Sequence, residues 1–140
     1  MSFASVRPYF RTQLESLGFI EWTDSFAIDN IPSTILDGRF HMLFDNISPL
    51  QLGGDTQDLD ISMTLRVFRK GFRNASYAID QLAIDGDNII ANVLKPINRL
   101  GIIIKNVKLN SVNIEPYGPS DDNIGVLIMG FTVFSVICLT

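Results

Sequence analysis

The sequence has very few of the side chains on which most enzyme chemistry depends. Its 140 residues include one cysteine, Cys138, and one histidine, His41. A single cysteine excludes an intramolecular disulfide, and a zinc site needs a cluster of Cys and His ligands that one of each does not supply. A Ser-His-Asp or Cys-His site would have to use His41, whose place on the polar face of a strand favours a solvated side chain. These absences predict a protein that is not an enzyme and that uses no metal.

Phosphate-binding and calcium-binding loops are also missing. Neither G-x-x-x-x-G-K-[ST] nor G-x-G-x-x-G occurs, so no loop is a candidate for cradling phosphates. The stretch Asp85-Gly86-Asp87-Asn88 resembles the start of a calcium loop, but Ile89 stands at the next ligand position, and we interpret it as a weak point in a helix. We therefore expect no cofactor.

Positive charge is in short supply. Eleven Lys and Arg stand against fifteen Asp and Glu, giving a net charge of -4. An acidic chain of this kind is not attracted as a whole to nucleic acid. A hydrophobic fraction of 46% over 140 residues is enough for one sizeable core, which predicts a single domain over residues 1–140.

One long uncharged run, residues 124–140, raises the question of a membrane anchor. It is 17 residues long, whereas a spanning helix needs about 20, and it has no flanking Lys or Arg. Its β-branched residues and its glycines favour a strand with apolar side chains on both faces, so we expect no membrane contact. At the other end, Arg7 and Pro8 stand where a signal peptide would have its apolar core, which predicts a chain that is not secreted through one.

Hydrophobic periodicity predicts two helices and four strands. Apolar spacing of three and four predicts a helix over residues 5–17 that Gly18 ends, and a long helix from Asn74 to Pro96. Residues 19–36 are expected to form a connecting loop with short extended pieces. Alternation of apolar and polar residues predicts strands over residues 39–47, 58–70, 104–117 with a bulge near Asn110, and 124–140.

The predicted fold class is α+β. The strands pair as two hairpins in a single antiparallel sheet of about four strands, with the N-terminal helix and the long central helix packed on one face, in the order α-β-β-α-β-β. The first hairpin is expected to have an oversized polar loop over residues 48–57.

Two sets of charged residues are candidates for contacts between subunits. Cations cluster at the end of the second predicted strand, and acids lie at its beginning. The subunit-interface candidates are Arg66, Arg69, Lys70, Arg73, Asp58 and Asp60. Solvated side chains and, for the cations, a narrow nucleic-acid stripe are the alternatives. A molecule with separate basic and acidic surfaces can join copies of itself head to tail.

The polar, Gly-rich tips of the two hairpins are candidates for docking a partner, because such loops commonly carry recognition. The partner-docking candidates are Leu52, Gly53, Gly54, Asp55, Gln57, Ser120, Asp121 and Asp122.

The order and spacing of these elements resemble the tail terminator proteins of long-tailed bacteriophages and, more loosely, the related tail-completion and neck proteins. The opening VRPYFRTQLESLGF and IDNIPSTILDGRFHMLFD and the closing VNIEPYGPSDDNIGVLIMGFTVFSV carry the resemblance. It covers nearly the whole chain and includes no catalytic motif.

This resemblance implies a structural virion protein, made in the host cytoplasm, that forms a hexameric ring. The ring would end the tail tube and join it to the head-side connector. Its partners would be further copies of itself, the tail tube protein and the connector or neck protein, with DNA passing through the lumen without specific binding. The alternatives are another neck or head-tail adaptor, or a non-viral α+β module that binds a peptide or small ligand.

Overall fold

A computed structural model describes residues 2–22, 37–53, 56–71, 75–95, 104–116 and 124–138. The helices are α1 (Ser2–Ser16) and α2 (Ala75–Val93). The strands are β1 (Ile20–Glu21), β2 (Arg39–Gly53), β3 (Thr56–Lys70), β4 (Ile104–Pro116) and β5 (Ile124–Cys138).

The five strands form one sheet in the order β1-β2-β3-β5-β4. β2 and β3 pair antiparallel, as do β4 and β5, and the antiparallel pairing of β3 with β5 joins these two hairpins. β1 is parallel to β2, with Ile20 opposite Arg39 and the Trp22 amide donating to the Phe40 carbonyl at 2.7 Å.

The predicted fold class was wrong. The sheet has five strands and is mixed, and strands rather than helices make up most of the described chain. The fifth strand, β1, lies where only a loop with short extended pieces was expected, and its two residues are too few to show an alternation that sequence reading can detect.

The predicted large loop of the first hairpin was also wrong. The β2–β3 ladder continues past Pro49 to the pair Gly53–Thr56, with register shifts after Phe44 and after Pro49. Pro49 suggested a break in the strand, but a strand at the border of a sheet tolerates proline where its missing N–H would have pointed outward. The first hairpin is therefore a ribbon paired almost to its tip, and its second strand is paired with β5 along the same length.

α1 confirms the predicted N-terminal helix. It begins three residues earlier than expected, so Pro8 lies in its interior. Gly18 follows the helix with φ +94, the left-handed conformation that ends helices. The sequence pattern thus located the end of this helix within two residues.

The main core lies between the sheet and the two helices, on what we call the helix face. Phe10 of α1 meets Phe131 of β5 with ring centroids 5.2 Å apart, and the Tyr9 hydroxyl donates to the Val93 carbonyl at the end of α2 at 2.6 Å. The apolar positions of β3 that alternate along the sequence are all buried on this face: Leu59, Ile61, Met63, Leu65 and Val67.

β5 is apolar on both sides, as predicted. Leu127 and Phe131 face the helices, while Ile124 and Val126 pack with Phe68 on the opposite face. The expected bulge in β4 is present as a register shift between Leu109 and Ser111. No helix within the described ranges is long and apolar enough to cross a membrane.

Candidate functional site

The feature that stands out on the sheet is the outer border of β2. β1 covers only Arg39 and Phe40 of β2, and beyond Phe40 the described residues give β2 a strand partner on its β3 side alone. We call residues 42–48 of β2 the β2 edge. It ends at Pro49, which has no N–H to offer, and backbone donors and acceptors along such an edge are a template for another strand.

The β2 edge exposes large apolar side chains. Phe44 and Ile47 are 41% and 38% exposed, although their partners in β3, Met63 and Ile61, are buried. On the opposite face, Leu43 is exposed as well. An exposed edge that carries large apolar side chains on each face is a candidate association surface.

The helical layer explains this exposure. α1 packs on β5 and on the short β1, and α2 packs on β3, β4 and β5, whereas neither described helix packs extensively on β2. Met42 is still buried, but Phe44, two residues further along the same face, is not. The sequence does contain one sign of this exposed edge: Leu43 interrupts the polar face of a strand whose other face is already apolar.

The second border of the sheet is β4, whose described strand partner is β5. Val107, on the helix face, is buried, whereas Val112 on the same face is exposed. Lys108 and Ser111 lie on the opposite face and are exposed.

The predicted basic cluster is divided between the two faces of the sheet. Arg66 lies on the opposite face beside His41, its partner in β2. Arg69 lies on the helix face, where its Nε and Nη2 donate to Asp85 of α2 at 2.7 and 3.1 Å. Lys70 is exposed, and Arg73 lies outside the described residues.

Asp85 is a structural residue that sequence reading missed. Its side chain is 4% exposed and accepts a third hydrogen bond from Gln81 Nε2 at 3.0 Å, while the Arg69 guanidinium lies 5.1 Å from the centre of the Phe19 ring. The helix runs through Asp85-Gly86-Asp87 without interruption. Reversing the charge of Arg69 would therefore test the stability of the fold, and Lys70 is the better residue for testing the predicted subunit interface.

A cleft of about 220 Å³ lies beside this ion pair, lined by Asp37, Arg69, Lys70 and Gln81. Since Asp85 already engages the guanidinium of Arg69, the cleft offers an incoming anion only one cation without a carboxylate partner among the described residues, Lys70. It is a weaker candidate site than the β2 edge.

The remaining predicted site residues are dispersed. Asp58 and Asp60 are half-buried on β3, opposite Val136 and Phe134 of β5. Of the docking candidates, Leu52 and Gly53 belong to β2 and Gln57 to β3, so they extend the ribbon rather than form a loop. Gly54, Asp55, Ser120, Asp121 and Asp122 lie outside the described residues. The interface and docking roles remain predictions.

His41 corrects another expectation, because it is buried and not solvated, with 6% of its surface exposed. Burial lowers the pKa of the His41 imidazole, and the guanidinium groups of Arg66 and Arg7 lower it further, against an opposing effect of Glu21. Glu21 itself is held by Arg11 at 3.2 Å and by Arg7 at 3.5 Å. This cluster ties α1 to β1 at the point where the β2 edge begins.

Across the described ranges, no group of three or more His, Cys, Asp or Glu side chains is placed to hold a metal ion. A scan against protein-family models finds no matching family. A search of the curated proteins finds no matching sequence.

Proposed function

We propose that this chain is a structural subunit that assembles with copies of itself, and that its assembly is a ring at the end of a bacteriophage tail. The observation that carries the proposal is the β2 edge, where Phe44 and Ile47 are exposed on a strand that, among the described residues, is paired on its β3 side alone beyond Phe40. Isolated proteins protect such borders, whereas assembling subunits use them.

The resemblance of the sequence to tail terminators indicates where in the virion this ring would lie. A subunit of this kind would cap the last ring of the tail tube and present the other side of the ring to the head-side connector. The net charge of -4 suits a lumen through which DNA passes without adhering. Function then lies in complementary surfaces, and the protein needs no cofactor and no turnover.

Replacing the apolar side chains of the β2 edge tests the proposal. Phe44→Ser with Ile47→Ser should abolish self-association in light scattering and prevent attachment to purified tail tubes in electron micrographs. The matched control is Ile79→Ser with Ile84→Ser on α2, where two apolar side chains are 42% and 52% exposed and belong to neither border strand. If the α2 variant loses assembly and the β2 variant keeps it, the proposal is wrong.

A second candidate uses the same border. An extended peptide adds as a strand to a free sheet edge in many binding modules, with pockets for alternate side chains giving specificity. A wild-type chain that stays monomeric even in the presence of tail tubes, but that binds extended peptides along β2, would favour the peptide-binding module.

A further inference from the structure

We propose that the β2 edge of one copy pairs with β4 of the next copy, so that one sheet continues from subunit to subunit. The inference rests on the proposed self-assembly and names the second surface that it requires. β2 and β4 lie at opposite borders of the sheet, apart from the two-residue β1, and each has a described strand partner on one side only.

The topology fixes the direction of this pairing. β2 is antiparallel to β3, β3 to β5, and β5 to β4, so β4 runs antiparallel to β2 within one chain. A neighbouring copy in the same orientation therefore presents β4 antiparallel to the β2 edge, with its helices on the same side. The contact is head to tail, and such contacts form rings when the rotation between copies closes.

The ends of the two strands suggest the register. β1 blocks β2 as far as Phe40, so an added strand has room from about Met42 onward. β4 ends at Pro116. Placing Pro116 opposite Met42 lets the incoming strand end where β1 begins to occupy the border.

In this register the apolar side chains of both strands match. Ile114 falls opposite Phe44, and the extra residue of β2 at Asp45 then brings Val112 opposite Ile47. All four lie on the helix face of their own sheets, since their partners there are Leu127, Met129, Met63 and Ile61. Val112 is 43% exposed in the single chain, so this pairing would cover Phe44, Ile47 and Val112 together on the helix face. Directly opposed apolar pairs are the unit of stabilisation between strands.

Disulfide trapping tests the register. Ile47→Cys with Val112→Cys, in a Cys138→Ser background, should give on oxidation a ladder of covalent multimers that dithiothreitol returns to the 15.6 kDa chain. Directly opposed residues have Cβ atoms about 4.5–5.5 Å apart, a separation that a disulfide can bridge with a small adjustment. The control, Ile47→Cys with Ile84→Cys on α2, should remain monomeric on the same gel.

A third pair of cysteine substitutions distinguishes a failure of the β2–β4 contact from a failure of the proposed self-assembly. Phe44→Cys with Ile47→Cys would trap two β2 edges against each other as a dimer and nothing larger. A dimer from that pair, with no ladder from Ile47→Cys and Val112→Cys, would overturn the β2–β4 contact while leaving self-assembly intact. Absence of self-association in the wild type, on its own and on tail tubes, would overturn both.

Discussion

The buried carboxylate of Asp85 should depend strongly on its partner Arg69, and Arg69→Met measures the cost of leaving it without that partner. The substitution removes two of the three hydrogen bonds that the structure gives the Asp85 carboxylate, leaving a buried charge with Gln81 as its donor. Breaking a buried pair from one side costs about 3–5 kcal/mol. The Arg69 side chain is 25% exposed, so water screens part of the loss and we expect the lower end, about 3 kcal/mol.

A loss of that size is a substantial part of a typical stability of about 5–15 kcal/mol. Urea unfolding followed by circular dichroism should show a lower midpoint with an unchanged slope, because the surface exposed on unfolding is unchanged. Lys70→Met is the matched control: it removes the neighbouring cation, which is exposed, and should change stability by less than about 0.5 kcal/mol.

The double variant Arg69→Met with Asp85→Leu should recover most of the loss, because replacing both members of a buried pair by apolar side chains is often close to neutral. If Arg69→Met loses less than about 1 kcal/mol, or if the two single losses simply add, the carboxylate does not depend on this arginine.

Three further outcomes follow from the described contacts. Tyr9→Phe removes the hydroxyl that donates to the Val93 carbonyl and should lower the free energy of unfolding by about 1–3 kcal/mol in urea; no change would show that the carbonyl finds another donor. Because burial and two guanidinium groups lower the pKa of His41 from its ordinary 6.5, the unfolded chain binds a proton that the folded chain does not, so stability should fall as the pH drops below about 6.5. His41→Gln should flatten that slope in urea titrations between pH 7.5 and 5.5, and an unaltered slope would assign it to other groups. Val133→Asp places a charge in the core and should give insoluble protein, whereas Thr132→Asp, one residue away on the opposite face, should stay soluble; equal solubility would contradict the facing of β5.

The local patterns of the sequence were enough to predict the buried helix face of the central strands, whereas Phe68 on the other face of β3 is buried as well. In β3, alternation by itself identified every second residue from Leu59 to Val67 as a core position, because successive side chains of a strand point to opposite faces. Gly18 marked the end of α1, and the phase change near Asn110 located the bulge in β4. Each of these signals is carried by neighbouring residues and needs no knowledge of the rest of the chain.

The strand order, the two-residue β1 and the exposure of the β2 edge were decided by the tertiary structure. Phe44 and Met63 carry the same kind of signal in the sequence, yet Phe44 is exposed and Met63 is buried, because the helices pack on the middle of the sheet and β2 is exposed beyond Met42. Likewise, Arg69 belongs to a basic run in the sequence, but the fold brings Asp85 to it from sixteen residues away and joins the two in a part-buried ion pair. Periodicity records which side of an element is apolar, whereas the element that finally covers that side is set by contacts between distant parts of the chain.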